Sequence, residues 1–95
     1  FCAVVIEEAG RAIGMGRLIS DGGCFFQIVD IAVDPAFQGR GLGKRIMAGL
    51  MAHVATLPKG AYVSLIADTS ADRLYAQFGF VATAPRSLGM AYRVK

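Results

Sequence analysis

Charge is scarce in this chain: only 18% of its 95 residues are Asp, Glu, Lys or Arg, against 55% hydrophobic. That balance excludes a disordered tail, which is charge-rich and apolar-poor. A long apolar run is also lacking. Charged residues recur at Glu7, Arg17, Asp30, Arg40, Lys59 and Asp68, so no stretch approaches the roughly 20 residues of a membrane-spanning helix. There are two cysteines. Cys2 and Cys24 have no metal-ligand spacing, so no metal is expected, and they read as buried free thiols. No cationic stripe of the kind that tracks a nucleic acid is visible. Ten Lys and Arg against seven Asp and Glu give +3, but the cations are scattered and densest at Arg40, Lys44 and Arg45. That suits a small site for an anionic ligand, and neither nucleic acid nor membrane is expected as a partner. No repeat, low-complexity tract or signal-peptide pattern appears, and a cytoplasmic location is expected. The length allows one core, so residues 1–95 are read as a single domain.

What is present changes period part-way along. Residues 2–6, 12–19 and 24–33 are apolar, β-branched runs separated by Glu7–Arg11 and by Ser20-Asp21-Gly22-Gly23. They predict an antiparallel meander of three strands, with Gly14 and Gly16 weakening the second or marking a bulge. From Leu42 to about Thr56, Leu42, Ile46, Met47, Leu50, Met51 and Val54 recur every three or four residues, which predicts an amphipathic helix. Residues 61–67 predict a strand, parallel to the third because the helix is a crossover. A short helix is expected over 71–78, with Asp68, Thr69 and Ser70 offering caps. Two closing strands are expected at 80–83 and 88–94.

The informative segment joins the third strand to the long helix: Val33-Asp34-Pro35-Ala36-Phe37-Gln38-Gly39-Arg40-Gly41-Leu42-Gly43-Lys44. The first N–H groups of a helix lack intrahelical partners, and its dipole makes that end positive. Glycines let a ligand approach the backbone, and phosphate is the usual occupant. The P-loop pattern fails, because Lys44 is followed by Arg45 and Gln38 stands where its first Gly belongs. The dinucleotide pattern fails too, because Gly39, Gly41 and Gly43 are spaced G-x-G-x-G.

Gln38, Gly41 and Gly43 do match Q/R-x-x-G-x-G/A after a strand. Here the chain resembles the GNAT superfamily of acetyl-CoA-dependent N-acetyltransferases. Leu74-Tyr75-Ala76-Gln77-Phe78-Gly79-Phe80 resembles that superfamily's late helix-to-strand signature. Residues 25–80 look particularly like glucosamine-6-phosphate N-acetyltransferases. The resemblance implies a layered α+β fold with a mostly antiparallel sheet and one parallel pair linked by a crossover helix. It implies acetyl-CoA as cosubstrate and a small-molecule amine as acceptor. It also implies a homodimer formed through C-terminal strands. For the cofactor it implies Ile31, Ala32, Val33, Gln38, Gly39, Arg40, Gly41, Leu42, Gly43, Lys44, Asp68 and Tyr75. GNAT domains usually place a strand and two helices before the meander, and nothing here matches them. The segment is therefore expected to be the C-terminal portion of the fold, poorly active alone and prone to self-association. Asp68 stands where many members carry an Asn that contacts the pantetheine arm. Residues 64–67 lack the acidic residue of the glucosamine-phosphate enzymes.

Acyl transfer from a thioester to an amine needs a neutral amine, a donor for the oxyanion and a proton for the leaving thiolate. The resemblance makes Tyr75 the general acid. A backbone N–H near Ala32 or Val33 would serve the oxyanion. Asp30, an acid in an apolar strand, is the candidate proton acceptor if burial raises its pKa, the alternative being a turn cap or an ion pair with an Arg. Asp68 is the second candidate, the alternative being a cap role. His53 reads as a solvated helix residue. The alternative to an enzyme is a CoA-binding regulatory or interaction domain without transfer; a nucleotide-binding module fits the glycines poorly.

Overall fold

The computed structural model of the protein describes residues 2–68 and 71–94. The apolar runs form β1 (Cys2–Glu8), β2 (Arg11–Ser20) and β3 (Phe25–Val33), paired antiparallel in sequence order. Between β1 and β2, Ala9 and Gly10 both take positive φ, as a two-residue hairpin turn needs if its twist is to match the strands. After β3, the Asp34 carboxylate accepts the Ala36 N–H at 2.9 Å and caps a single 3₁₀ turn over Pro35–Phe37. The chain then enters α1 (Leu42–Val54), which leads back to β4 (Tyr62–Leu65). β4 runs parallel to β3, from Phe25 against Tyr62 to Ile28 against Leu65. The sheet order is β1-β2-β3-β4, and the expected α+β arrangement with one parallel pair is present.

The core lies between α1 and one sheet face. Leu42, Ile46, Met47 and Leu50 are buried along α1 at helical spacing. Ile46, Met47 and Leu50 pack on Leu18, Phe26 and Ile28. Close approach depends on small residues beneath the helix: a Cβ on Gly16 would lie 2.6 Å from Ile46 Cγ2.

Some expectations are corrected. No strand forms over residues 80–83 or 88–94 among the described residues. The turn between them is present, with the Ser87 N–H donating to the Thr83 carbonyl at 3.0 Å. Leu88, Met90, Tyr92 and Val94 are 77%, 87%, 89% and 84% exposed. A turn needs only its own residues, whereas a strand needs a neighbour's backbone groups, and this segment pairs with none in the sheet. The second helix, α2, is shorter than expected, Asp72–Ala76; Thr69 and Ser70, expected as its caps, lie outside the described residues. Cys2 is half-buried but Cys24 is exposed, because the turn runs one residue further than the strand pattern suggested, and both are free. α1 ends at Val54, where the Thr56 hydroxyl donates to the His53 carbonyl.

Candidate active site

The site begins as a defect in pairing. β3 is paired on both sides from Phe26 to Ile28, but β4 ends opposite Ile28. Beyond that point β3 keeps β2 alone, and a wedge opens between the strands. Asp34 donates its N–H to Ile13 of β2 at 2.7 Å. Backbone groups alternate sides along a strand, so the groups of Ala32 also turn toward β2 and those of Ile31 and Val33 turn toward the wedge. The Gln38 side chain donates from Nε2 to the Val33 carbonyl at 3.3 Å. That bond ties the glycine-rich turn to the rim of the wedge.

At the same end stands the N-terminus of α1. Gly41 is its N-cap at φ 75° and makes no side-chain capping bond. Gly39 has φ 83°, and a Cβ on either glycine would meet no protein atom within 4 Å. The turn therefore presents open backbone to a ligand. No acidic residue stands in the first turn of α1, whereas Lys44 lines the same space. Uncapped N–H groups, the helix dipole and a lysine suit phosphate.

Wedge and cradle form one cavity of about 850 Å³, within the range of small-molecule sites. Tyr75 of α2 and Asp68 form part of its wall. Burial pushes the Tyr75 phenol above its usual 10.0, and the nearby Asp68 carboxylate adds to the rise. The phenol thus stays protonated at neutral pH, as a proton donor must.

Comparison with known proteins bears on what such a cavity does. The family description "Acetyltransferase (GNAT) domain" matches residues 2–89. The chain belongs to the GNAT family. It is 36% identical over 84 residues to "Histone acetyltransferase TAP1" of Glycine max, covering 88% of this chain and 36% of that protein. It thus spans about a third of the length of that curated relative. Among solved GNAT structures it superposes on a Staphylococcus aureus "Probable Acetyltransferase" with TM-score 0.91 and 47% identity, over 97% of this chain and 70% of that one. The Arabidopsis thaliana glucosamine-6-phosphate N-acetyltransferase gives 0.77 and 26%, over 98% and 66%.

Most GNAT-motif residues read from the sequence come together on the cavity: Asp30, Ile31, Val33, Gln38, Gly39, Gly41, Leu42, Gly43, Lys44, Asp68 and Tyr75. Two that were expected there are not among its lining residues. Ala32 belongs to the β2-facing register. Arg40 stacks over the Phe37 ring, 4.8 Å from its centroid, and lies 3.8 Å from Glu8. Asp30, whose role as proton acceptor was conditional on burial, is exposed and pairs with Arg17, the alternative reading. His53 is exposed, as expected. Phe37, Leu65, Ile66, Leu74 and Gln77 also line the cavity and were not foreseen. Phe37 and Leu74 each adjoin a motif residue, so adjacency was the available signal.

Proposed function

We propose that the protein is an acetyl-CoA-dependent N-acetyltransferase that moves the acetyl group to a primary amine by direct transfer. The observation that carries this reading is the continuity of the β3–β4 wedge with an uncapped helix N-terminus. One end accepts a pyrophosphate and the other admits an extended arm between two strands. Acetyl-CoA supplies the activated thioester.

The protein's part is to hold and to move protons. The N–H groups of Gly41, Leu42 and Gly43 hold phosphate oxygens, with Lys44 adding charge. The N–H of Val33, rather than that of Ala32, donates to the carbonyl oxygen as negative charge develops there. Tyr75 gives its phenolic proton to the departing sulfur. Asp68 takes the amine's proton through solvent. It is exposed and close enough to act on Tyr75.

Titration calorimetry of the full-length protein with acetyl-CoA, CoA and ATP tests the cofactor. Binding of the first two and not the third is expected. Loss of acetyl-CoA across a panel of small primary amines then tests the transfer. Tight CoA binding with no consumption across the panel would favour the regulatory CoA-binding domain.

A further inference from the structure

Asp30 is the feature the mechanism leaves unused. It is one of two non-glycine residues with positive φ among the described residues, at 58°. The register explains where this falls. Met15 opposes Ala32, but Arg17 opposes Val29. Gly16 alone therefore faces both Asp30 and Ile31, which makes a β-bulge with its extra residue on β3.

The bulge changes which side chains face the helix. Phe26 and Ile28 are buried against α1. In an uninterrupted strand Asp30 would follow them inward, placing a carboxylate in the core. Instead the phase slips by one, and Ile31 and Val33 take that face. Gly16 leaves the room for this: a Cβ there would lie 2.5 Å from Ile31 Cδ1. Asp30 turns outward, and its Oδ2 lies 2.9 Å from Arg17 Nε, on the strand β2 alongside. The same slip turns the backbone groups of Ile31 and Val33 toward the wedge.

We infer that the Arg17–Asp30 pair is the latch of this bulge, and that Asp30 is a positioning residue for the cofactor rather than the base that deprotonates the amine. Aspartate tolerates left-handed backbone better than most residues because its short side chain can bond locally. The pair is exposed on both sides, at 47% and 55%, so it is a weak contributor to global stability. Its effect is local: it favours the backbone geometry that keeps the wedge open and its donors aimed inward.

The inference rests on the acetyl-CoA reading, and the test separates the two. Asp30→Gly removes any base yet takes up positive φ freely, whereas the β-branched Asp30→Val does not. In the full-length protein, Asp30→Val is expected to raise the KM for acetyl-CoA at least tenfold above that of Asp30→Gly, with a smaller change in kcat. Arg17→Met should weaken acetyl-CoA binding about threefold, and Asp30→Gly in the same chain should remove that sensitivity. Equal KM values in folded Gly and Val variants would overturn the latch. A kcat that falls a hundredfold in Asp30→Gly with KM unmoved would make Asp30 the base. Amide exchange without ligand gives a second measure. The Ile31 and Val33 amides should change their exchange in Asp30→Val but not in Asp30→Gly. No difference between the two overturns the inference even if the protein binds no acetyl-CoA, an outcome that sinks the cofactor reading separately.

Discussion

The two halves of β3 share a strand but not a job. From Phe26 to Ile28 it is paired on both sides, and Phe26 and Ile28 sit in the core. From Val29 to Val33 it is paired on one side, and most of its residues line the cavity. Ladder bonds and apolar burial hold the first half. The second gives up one ladder, and its backbone donors become available to a ligand. Damage to the first half should therefore register as lost stability, and damage around the second as lost function.

The largest effect is expected across the second half. Tyr75→Phe keeps the ring and removes the proton; kcat should fall about 10²–10⁴-fold, up to about 5 kcal/mol, with acetyl-CoA affinity little changed. An unchanged kcat under conditions where chemistry limits the rate would make Tyr75 structural. Next comes Phe26→Ala in the first half, expected to cost about 3–5 kcal/mol of folding stability by denaturant titration. A loss below about 1 kcal/mol would show that the doubly paired half is not where stability resides. Gly41→Val follows. It strains a residue at φ 75° and puts a branched side chain where phosphate would sit. The dissociation constant for CoA should rise at least tenfold, about 1.4 kcal/mol; an unchanged constant in a folded variant removes the cradle assignment.

The smallest effect is one of pH. The raised Tyr75 pKa means its contribution to stability is complete below the unfolded value near 10.0 and fades as pH rises through the folded value. The alkaline limb of kcat should accordingly lie above pH 10. Asp68→Asn also removes the proposed proton acceptor and should lower kcat; in the remaining activity the limb should move down without reaching the ordinary phenol value, because the burial stays. A limb that stays in place would show that Asp68 does not act on Tyr75.

What the sequence revealed depended on range. The meander, α1 and the glycine-rich turn are written in local periods and turn residues, and each forms where expected. Two features were not fully legible. The alternation of Leu88, Met90, Tyr92 and Val94 satisfies a strand's local pattern, yet these side chains are exposed and no ladder forms beside them. Pairing depends on a distant edge, which no window of residues contains. The bulge was legible in part: Gly14 and Gly16 offered a bulge on the second strand, but its extra residue lies on β3. Residues 24–33 read as a single phase, so an acid in that run is open to two readings, burial or pairing with an Arg, and the structure has the second. Gly16 and Ile31 were the clue to a phase slip, since a strand that steps out of register needs a small residue opposite the step.

The way β4 joins the sheet also bears on the order of assembly. β1, β2 and β3 are linked by short turns, so their contacts close small loops. β4 pairs residues as distant as Phe25 and Tyr62, and such contacts bear a larger loop-closure entropy before they are rewarded. The four-residue strand should therefore dock late in folding and come away early in partial opening. The cavity borders that joint, so an occupant clamps a seam formed by long-range contacts. At a hundred times its dissociation constant, a ligand bound only to the native state adds about 2.7 kcal/mol. The metabolite that enters the wedge would thereby also act as a late-stage folding ligand, and the proteolytic lifetime of the protein would follow its supply.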